Sequence, residues 1–396
     1  MENKIGYLGL VYKPGEEKKQ IELSKVGLDS AANLFQWNVL HGMLENGVEQ
    51  IRLINCVPVG VWPIQYKKLI LKNKKWNYKN IECSEVGCIN LPVIKQNKRF
   101  RTILKLLNKN FSDGDKIIIY SAYYPFLKAL YFSKIRLDAT LIVTDLPEYY
   151  DLGGANIIRT TLRKIQNKKI YKYMKRVNRF VLLTDKMCEP LHVENRPFIV
   201  LEGICKQNAT EMIEKKEKGK KIILYTGTLH YQYGIKNLLE AFKELNVENT
   251  ELWICGKGEA ESEIINMAQE DHKIKYLGFR SQSEIQELQG RATVLVNPRT
   301  NQGEFTKYSF PSKTMEYMAS STPVVMYKLD GVPKEYYDYL FFPDDESSKA
   351  LCIKLKEILS MDSDELTKFG KRAAEFVMTH KNRKYQVGRL LSLLEK

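Results

Sequence analysis

The 396-residue sequence has no run approaching the roughly 20 consecutive apolar residues that a transmembrane helix needs. Its start, MENKIGYLGLVYKPGEEKK, has too short an apolar core for a signal peptide, so a cytosolic protein is expected. Seven cysteines (Cys56, Cys83, Cys88, Cys188, Cys205, Cys255 and Cys352) are scattered, odd in number and form no two pairs at zinc-ligand spacing. They read as reduced thiols, several in core positions, and neither a disulfide framework nor a metal site is expected. Short-period repeats and low-complexity segments are also lacking.

Acid is scarce where base is dense. The net charge is +15, and from Asn156 to Phe180 the chain carries Arg159, Arg163, Lys164, Lys168, Lys169, Lys172, Lys175, Arg176 and Arg179 with no acid among them. Ile158, Leu162, Ile165, Ile170, Tyr173, Met174 and Val177 recur there at roughly helical spacing, which predicts an amphipathic basic helix. Tyr66 to Lys79, YKKLILKNKKWNYK, is a second basic stretch. Attraction to anionic lipid headgroups, at about 1 kcal/mol per basic residue near the surface, is one explanation. Nucleic-acid binding is another, and solvated helix faces are the ordinary alternative.

Length suits two domains of about 150 to 200 residues each, and 44% hydrophobic content permits two cores. Short apolar strands alternate with amphipathic helices throughout, the pattern of parallel α/β layering. Strands are expected at Lys4–Val11, Gln50–Val57, Lys116–Ser121, Ala139–Thr144, Arg179–Thr184 and Phe198–Leu201. A second series follows at Lys221–Tyr225, Glu251–Cys255, Ile274–Tyr276, Thr293–Asn297, Pro323–Tyr327 and Leu340–Phe342. Between the series, Glu211–Lys221 (EMIEKKEKGKK) is charged and poor in apolar residues, and reads as part of the interdomain connection. Two doubly wound domains would each bind ligand outside the carboxyl ends of their strands, giving a cleft between them.

Leu295–Val325, LVNPRTNQGEFTKYSFPSKTMEYMASSTPVV, runs strand, polar loop and helix in succession. Pro311 and Ser312 stand where the helix should begin, so Ser312, Lys313 and Thr314 would offer backbone N–H groups and a positive dipole end to an anion. Lys313 adds a full charge, and Glu316 lies on almost the same face, where it can accept from vicinal hydroxyls. A phosphate beside a ribose or sugar is the implied ligand; the ordinary alternative is a helix capped by its serine. Three further strand-to-helix junctions fit the same rim: Gly227-Thr228, Gly256 in CGKGE, and Gly278-Phe279-Arg280. Glycine at 227 and 256 would let a backbone approach a ligand closely, although a glycine after a strand is usually just a turn.

In order and spacing, YTGTL, YGIKNLLEAF, LWICGKGE, KYLGFRSQSEIQEL, VLVNPR and YSFPSKTMEYMASSTPVV resemble the nucleotide-sugar domain of family 4 glycosyltransferases of the GT-B fold. GLDSAANLFQWNVLHGMLENG, IVTDLPEYY and LLTDKM resemble acceptor domains of bacterial polysaccharide-assembly members. The resemblance covers nearly the whole chain. It implies an α/β fold of two Rossmann-like domains facing across a cleft: an acceptor domain over 1–205, a donor domain over 206–375, and a last helix, within about 376–396, packing back on the first. It implies a retaining transferase that takes sugar from a nucleoside diphosphate sugar as substrate, with no cofactor and no required metal. Lys313 is then the first choice for steadying the departing diphosphate, and Glu316 matches the glutamate that binds ribose hydroxyls. The family's other glutamate, seven residues earlier, is replaced by Tyr308, for which Glu304 or the backbone of Ser309 and Phe310 would substitute. Two glycine-loop cations are replaced by Thr228 and Tyr233, leaving Arg299, Lys307, Lys236 or Arg280 to hold phosphate. Phe279 or Arg280 would border the base.

The first half offers Gly27, ahead of a helix, as a seat under the donor phosphate or simply a turn, with Asn33 and Gln36 as binders of acceptor hydroxyls. Asp145 and Glu148 would position the acceptor or deprotonate its hydroxyl; helix capping by Asp145 is the alternative. His41 reads as structural, whereas His230, in the loop after Gly227, stays open. Among functions, the leading expectation is transfer onto a lipid-linked saccharide at the inner, anionic face of the cell membrane. A nucleotide-sugar epimerase would leave the basic helix unexplained. No nucleic-acid partner is expected, because the basic segments lack the glycine and aromatic interleaving of single-strand readers.

Overall fold

The computed structural model describes residues 4–147, 157–205 and 219–396. By its internal contacts the chain divides into two units, Met1–Ile204 with Arg383–Lys396, and Cys205–Asn382. The excess charge belongs to the first: unit 1 has 37 Lys and Arg against 20 Asp and Glu, and unit 2 has 25 against 27.

Unit 1 is built on β1 (Lys4–Gly9), β2 (Gln50–Asn55), β3 (Ile70–Leu71), β4 (Lys74–Tyr78), β5 (Ile81–Glu85), β6 (Cys88–Ile89), β7 (Lys116–Tyr120), β8 (Asp138–Val143), β9 (Arg179–Leu182) and β10 (Phe198–Val200). Its sheet runs β10-β9-β8-β7-β1-β2-β5-β4, parallel except where β4 meets β5. Helices cover the sheet, so central strands are apolar without alternation; Ile117, Ile118 and Ile119 of β7 are all fully buried. The closing helix, Arg383–Leu393, belongs to this unit. It buries Val387, Leu390 and Leu393 against Trp37, Leu40 and Met43, and the fit is close: a Cβ on Gly42 would come within 2.5 Å of Val387 Cγ2. The preceding helix, Ser363–His380, stays in unit 2, where Ala373, Phe376 and Val377 are core residues, so the return to unit 1 starts at Arg383.

Unit 2 has β11 (Lys221–Thr226), β12 (Thr250–Cys255), β13 (Ile274–Gly278), β14 (Val294–Asn297) and β15 (Val324–Met326), all parallel, in the order β13-β12-β11-β14-β15. Leu340–Phe342, expected as a strand, contributes only a single bridge from Phe341 to Val325. Most of the expected connection at Glu211–Lys221 lies outside the described residues.

Two basic segments take different forms. Tyr66–Lys79 is not helical: it supplies β3 and β4, and β3 pairs with β6 in a separate two-stranded ribbon. The other is a helix, Ile157–Met174; Asn156, where it was expected to begin, is outside the described residues. Its stripe of Ile170, Tyr173 and Met174 is buried, and the Tyr173 ring meets those of Tyr124, Tyr131 and Phe132 at centroid distances of 5.9, 4.9 and 5.9 Å. That stripe is core of unit 1, and Lys164, Lys168, Lys169, Lys172 and Lys175 are exposed, together with Ile165, which was expected on the apolar face and is 46% exposed.

Candidate functional site

The strand order of unit 2 reverses at β11 and β14, and the crevice at such a reversal is where open parallel sheets take ligands. β11 runs into Gly227-Thr228 and β14 into Pro298-Arg299, and the helix Ser312–Ala319 starts beside them. Its N-cap is Pro311, with φ −74° and ψ 91°, and no side chain caps it. Ser312 is the first helical residue, so the capping serine of the ordinary reading is absent and the start of the helix keeps its positive end uncapped. Tyr317, fully buried, fixes the helix to β11: its hydroxyl donates to the Thr226 carbonyl at 2.8 Å and accepts the Thr226 N–H at 2.8 Å. Asn297 Nδ2, at the end of β14, donates to Thr314 Oγ1 at 3.2 Å.

These ties put Lys313 over the end of β11. Its Cε lies 3.2 Å from the place a Cβ on Gly227 would occupy, so glycine there leaves room for the lysine. Glu316 is one turn on, its Oε2 4.0 Å from Lys313 Nζ. Its other oxygen accepts from Gln282 Nε2 at 3.1 Å and Gln289 Nε2 at 3.5 Å. A lysine, an uncapped helix start and a carboxylate oriented by two amides thus share one small area, a geometry suited to an anion bonded to a hydroxyl-bearing ring.

Arg299 Nη2 donates to Ser309 Oγ at 2.9 Å, and its guanidinium lies 5.8 Å from the Tyr233 ring centroid. Burial lowers its pKa, yet a guanidinium stays charged. Phe310 and Pro311 are buried, Phe310 against Tyr336 in the unit 2 core, which leaves Phe310 only a backbone role at the site. Thr228 is exposed, and its carbonyl accepts from Tyr225 Oη at 2.8 Å. Lys307 is exposed on the turn Glu304–Tyr308. Phe279 is 72% exposed, and Arg280 pairs with Glu284 at 3.4 Å; their loop leads directly to Gln282, which reaches Glu316.

At Gly256 φ is +144°, and a Cβ there would fall 1.7 Å from the Gly227 carbonyl oxygen, so packing against the neighbouring loop itself requires glycine. Gly234 is equally constrained and was missed: φ is +80°, and a Cβ would meet the Pro298 carbonyl oxygen at 1.8 Å. Gln282, Gln289 and Tyr317 were also missed. A glutamine at the first or eighth position of a helix, as Gln282 and Gln289 are, has no signature by itself, although a tyrosine next to a functional glutamate is a candidate anchor.

The acceptor residues expected in unit 1 fare differently. Gln36, fully buried, accepts the Leu10 N–H at 2.8 Å and donates to the Leu10 carbonyl at 2.8 Å. Asn33 Oδ1 accepts the Tyr12 N–H at 2.9 Å. Asn55 holds both polar groups of Val11 at 2.9 Å, and Trp37 Nε1 donates to the Tyr12 carbonyl at 3.0 Å. The loop after β1 has left the ladder, and these side chains satisfy its backbone. Asn33 and Gln36 are corrected from acceptor contacts to loop clamps. Gly27 is exposed with φ +79°, two residues ahead of Asp29, whose carboxylate caps the next helix by accepting the Ala32 N–H at 3.0 Å. That carboxylate occupies the helix start, while Gly27 beside it has nothing within 4 Å of the place its Cβ would take.

Asp145 is exposed at the carboxyl end of β8; the surrounding protein and Asp29 push its carboxyl up, against a hydrogen bond from Thr144. Glu148 lies outside the described residues. His41 sits between the rings of Trp37 and Tyr78, its pKa lowered by burial, in a structural position. His230 Nδ1 is 3.5 Å from Glu259 Oε1. A small cavity at the ends of β2 and β5, lined by Gln20, Val57, Tyr66, Lys68, Lys74 and Glu85, carried no sequence signal.

Comparison with known proteins follows the same division. Residues 207–376 match the family model described as glycosyl transferases group 1. An uncharacterized glycosyltransferase of Methanocaldococcus jannaschii is 32% identical over 117 residues, 28% of this chain and 28% of that protein; the match therefore spans little more than a quarter of the relative's length. Among solved structures, one described as trehalose-6-phosphate from E. coli bound with UDP-2-fluoro glucose superposes with a TM-score of 0.67 at 10% identity, covering 99% of both chains. Sucrose-phosphate synthase from Thermosynechococcus elongatus gives 0.62 at 13% identity over 99% of this chain and 98% of that one. The chain has the GT-B fold, and its residues 207–376 match the glycosyl transferases group 1 model.

Proposed function

We propose that the chain is a retaining, metal-independent glycosyltransferase of the family 4 type. It moves a sugar from a nucleoside diphosphate sugar to a lipid-linked saccharide in surface-polysaccharide assembly, working on the cytoplasmic face of an anionic membrane. The observation that carries the reading is the convergence of Lys313, the uncapped start of its helix and Glu316 at the reversal of the unit 2 sheet. When the sugar–phosphate bond breaks, negative charge gathers on the β-phosphate. Cations and amides fixed at that point stabilise the transition state more than the ground state. Lys313 and the amides of Ser312 and Lys313 fill this role, with Arg299, held by Ser309, adding charge. Glu316, oriented by Gln282 and Gln289, takes the ribose hydroxyls, and the exposed Phe279 and Arg280 border the base. Charge supplied by side chains and amides is what supports metal independence. Asp145, its carboxyl shifted upward, is the candidate for orienting or deprotonating the acceptor hydroxyl.

A thermal-shift panel of UDP, GDP, ADP and their common sugars tests the reading, since a ligand of the native state raises the melting temperature. One nucleoside diphosphate should raise it and the others should not. A flat panel would sink the donor assignment. An altered nucleotide sugar formed without any acceptor would favour an epimerase.

A further inference from the structure

We infer that unit 1 seats on an anionic bilayer through a second surface, apolar and ringed by lysine, formed by the loops that flank β3 and β6. This deepens the proposed membrane setting and rests on it. The helix Ile157–Met174 can attract headgroups through its lysines, but among its described residues Ile170, Tyr173 and Met174 are buried, Tyr173 against rings of the helix Tyr124–Phe132, and Ile165 is the large apolar side chain left exposed, at 46%. Apolar side chains are exposed elsewhere, and together. Ile70 and Ile89 are paired across β3 and β6 yet 63% and 42% exposed; Val26, Trp62, Ile64 and Val93 are exposed around them.

Backbone bonds bind these loops into one surface. Lys25 N–H donates to Gln65 O at 2.9 Å, Trp62 N–H to Asn90 O at 3.0 Å, and Asn90 N–H to Leu69 O at 2.7 Å. Beneath them Asn90 is fully buried, with Nδ2 on the Gly60 carbonyl at 2.8 Å. The apolar exposure is therefore held by ordered hydrogen bonds. Such a patch on a chain of this size marks a docking surface.

Charge names the occupant. Lys25, Lys67, Lys68 and Lys72 are exposed on the same loops. From Trp62 to Lys79 the chain has Lys67, Lys68, Lys72, Lys74, Lys75 and Lys79 and no acid, while Glu22 and Asp29 stand to either side of Lys25 and Val26. Apolar side chains among cations suit an interface of acyl chains beneath anionic headgroups, where burial and attraction act together. A second copy of this chain would bring the same cations face to face.

Trp62 gives a direct readout. It is 36% exposed, whereas Trp37, Trp76 and Trp253 are buried at 7%, 8% and 6%. Full-length protein mixed with phosphatidylglycerol-rich vesicles should show blue-shifted tryptophan emission, quenched by bromine on the acyl chains, and pure phosphatidylcholine should not produce it. The triple change Ile64→Ser, Ile70→Ser and Val93→Gly, the glycine chosen because Val93 has φ +63° and ψ −53°, should lower vesicle partitioning at least tenfold with the melting temperature unchanged. Partitioning equal to wild type, no blue shift, or a wild-type dimer that the triple change splits into monomers would each overturn the inference. Binding is read without donor or acceptor, so its failure leaves the transfer reading standing, and failed transfer leaves the docking result standing.

Discussion

Replacing Lys313 by alanine separates chemistry from stability. The side chain is 43% exposed, and its charged partner, Glu316, is 4.0 Å away with 31% exposure. A pair of that kind contributes about 0 to 1 kcal/mol, so the variant should melt close to wild type. A preorganised cation at a developing oxyanion is another matter: its removal lowers turnover on the order of 10²- to 10³-fold, or roughly 2.7–4 kcal/mol of transition-state stabilisation. The assay is release of nucleoside diphosphate from the donor identified by thermal shift, with kcat and KM measured separately. A fall in kcat is expected, partly restored by Lys313→Arg. Gly227→Ala should act in the same direction, because its Cβ would sit 3.2 Å from Lys313 Cε and 3.0 Å from Tyr225 Oη and push the lysine aside. An unchanged kcat in Lys313→Ala, or a change confined to KM, would refute the assignment.

Other outcomes follow from the same geometry. Gly256→Ala should destabilise unit 2 by about 3 kcal/mol or more, seen as a fall in melting temperature, since it joins φ +144° to a 1.7 Å clash with the Gly227 carbonyl. Gln36→Ala should cost about 2 to 3 kcal/mol of stability by orphaning the Leu10 backbone, while the KM for acceptor in the folded enzyme stays at the wild-type value. Lys95, whose ammonium lies against the Val59 carbonyl, is lowered from 10.5 to about 8 by burial first and by Arg99 second. Between those values the unfolded chain keeps the proton and the folded chain has lost it. Stability should thus rise as pH goes from about 8 to 10.5, by up to about 3 kcal/mol, and Lys95→Met should remove this rise from denaturant titrations.

The central strands were legible because a parallel strand buried on both faces is a plain apolar run, as KIIIY of β7 is. β4 escaped because KKWNY buries only Trp76, and its lysines read as surface. The helix at Ser312 was legible through its proline and the spacing of Lys313 and Glu316. The amides that orient Glu316 were not, because Gln282 and Gln289 arrive from another helix through tertiary packing. Asn33 and Gln36 misled for a related reason. An amide on the first turns of a helix looks like a ligand contact until the neighbouring loop, Leu10–Tyr12, is seen to leave its ladder unpaired. A glycine after a strand carries no sign of what faces it, and the space a Gly256 Cβ would take is filled by the Gly227 carbonyl.

Whether the start of the Ser312 helix holds a diphosphate is decided by a crystal structure of the chain soaked with its nucleoside diphosphate. The β-phosphate should lie within hydrogen-bond distance of the Ser312 and Lys313 amides and Lys313 Nζ, with the ribose on Glu316. Diphosphate density anywhere else on the protein, with that helix start bare, would contradict it.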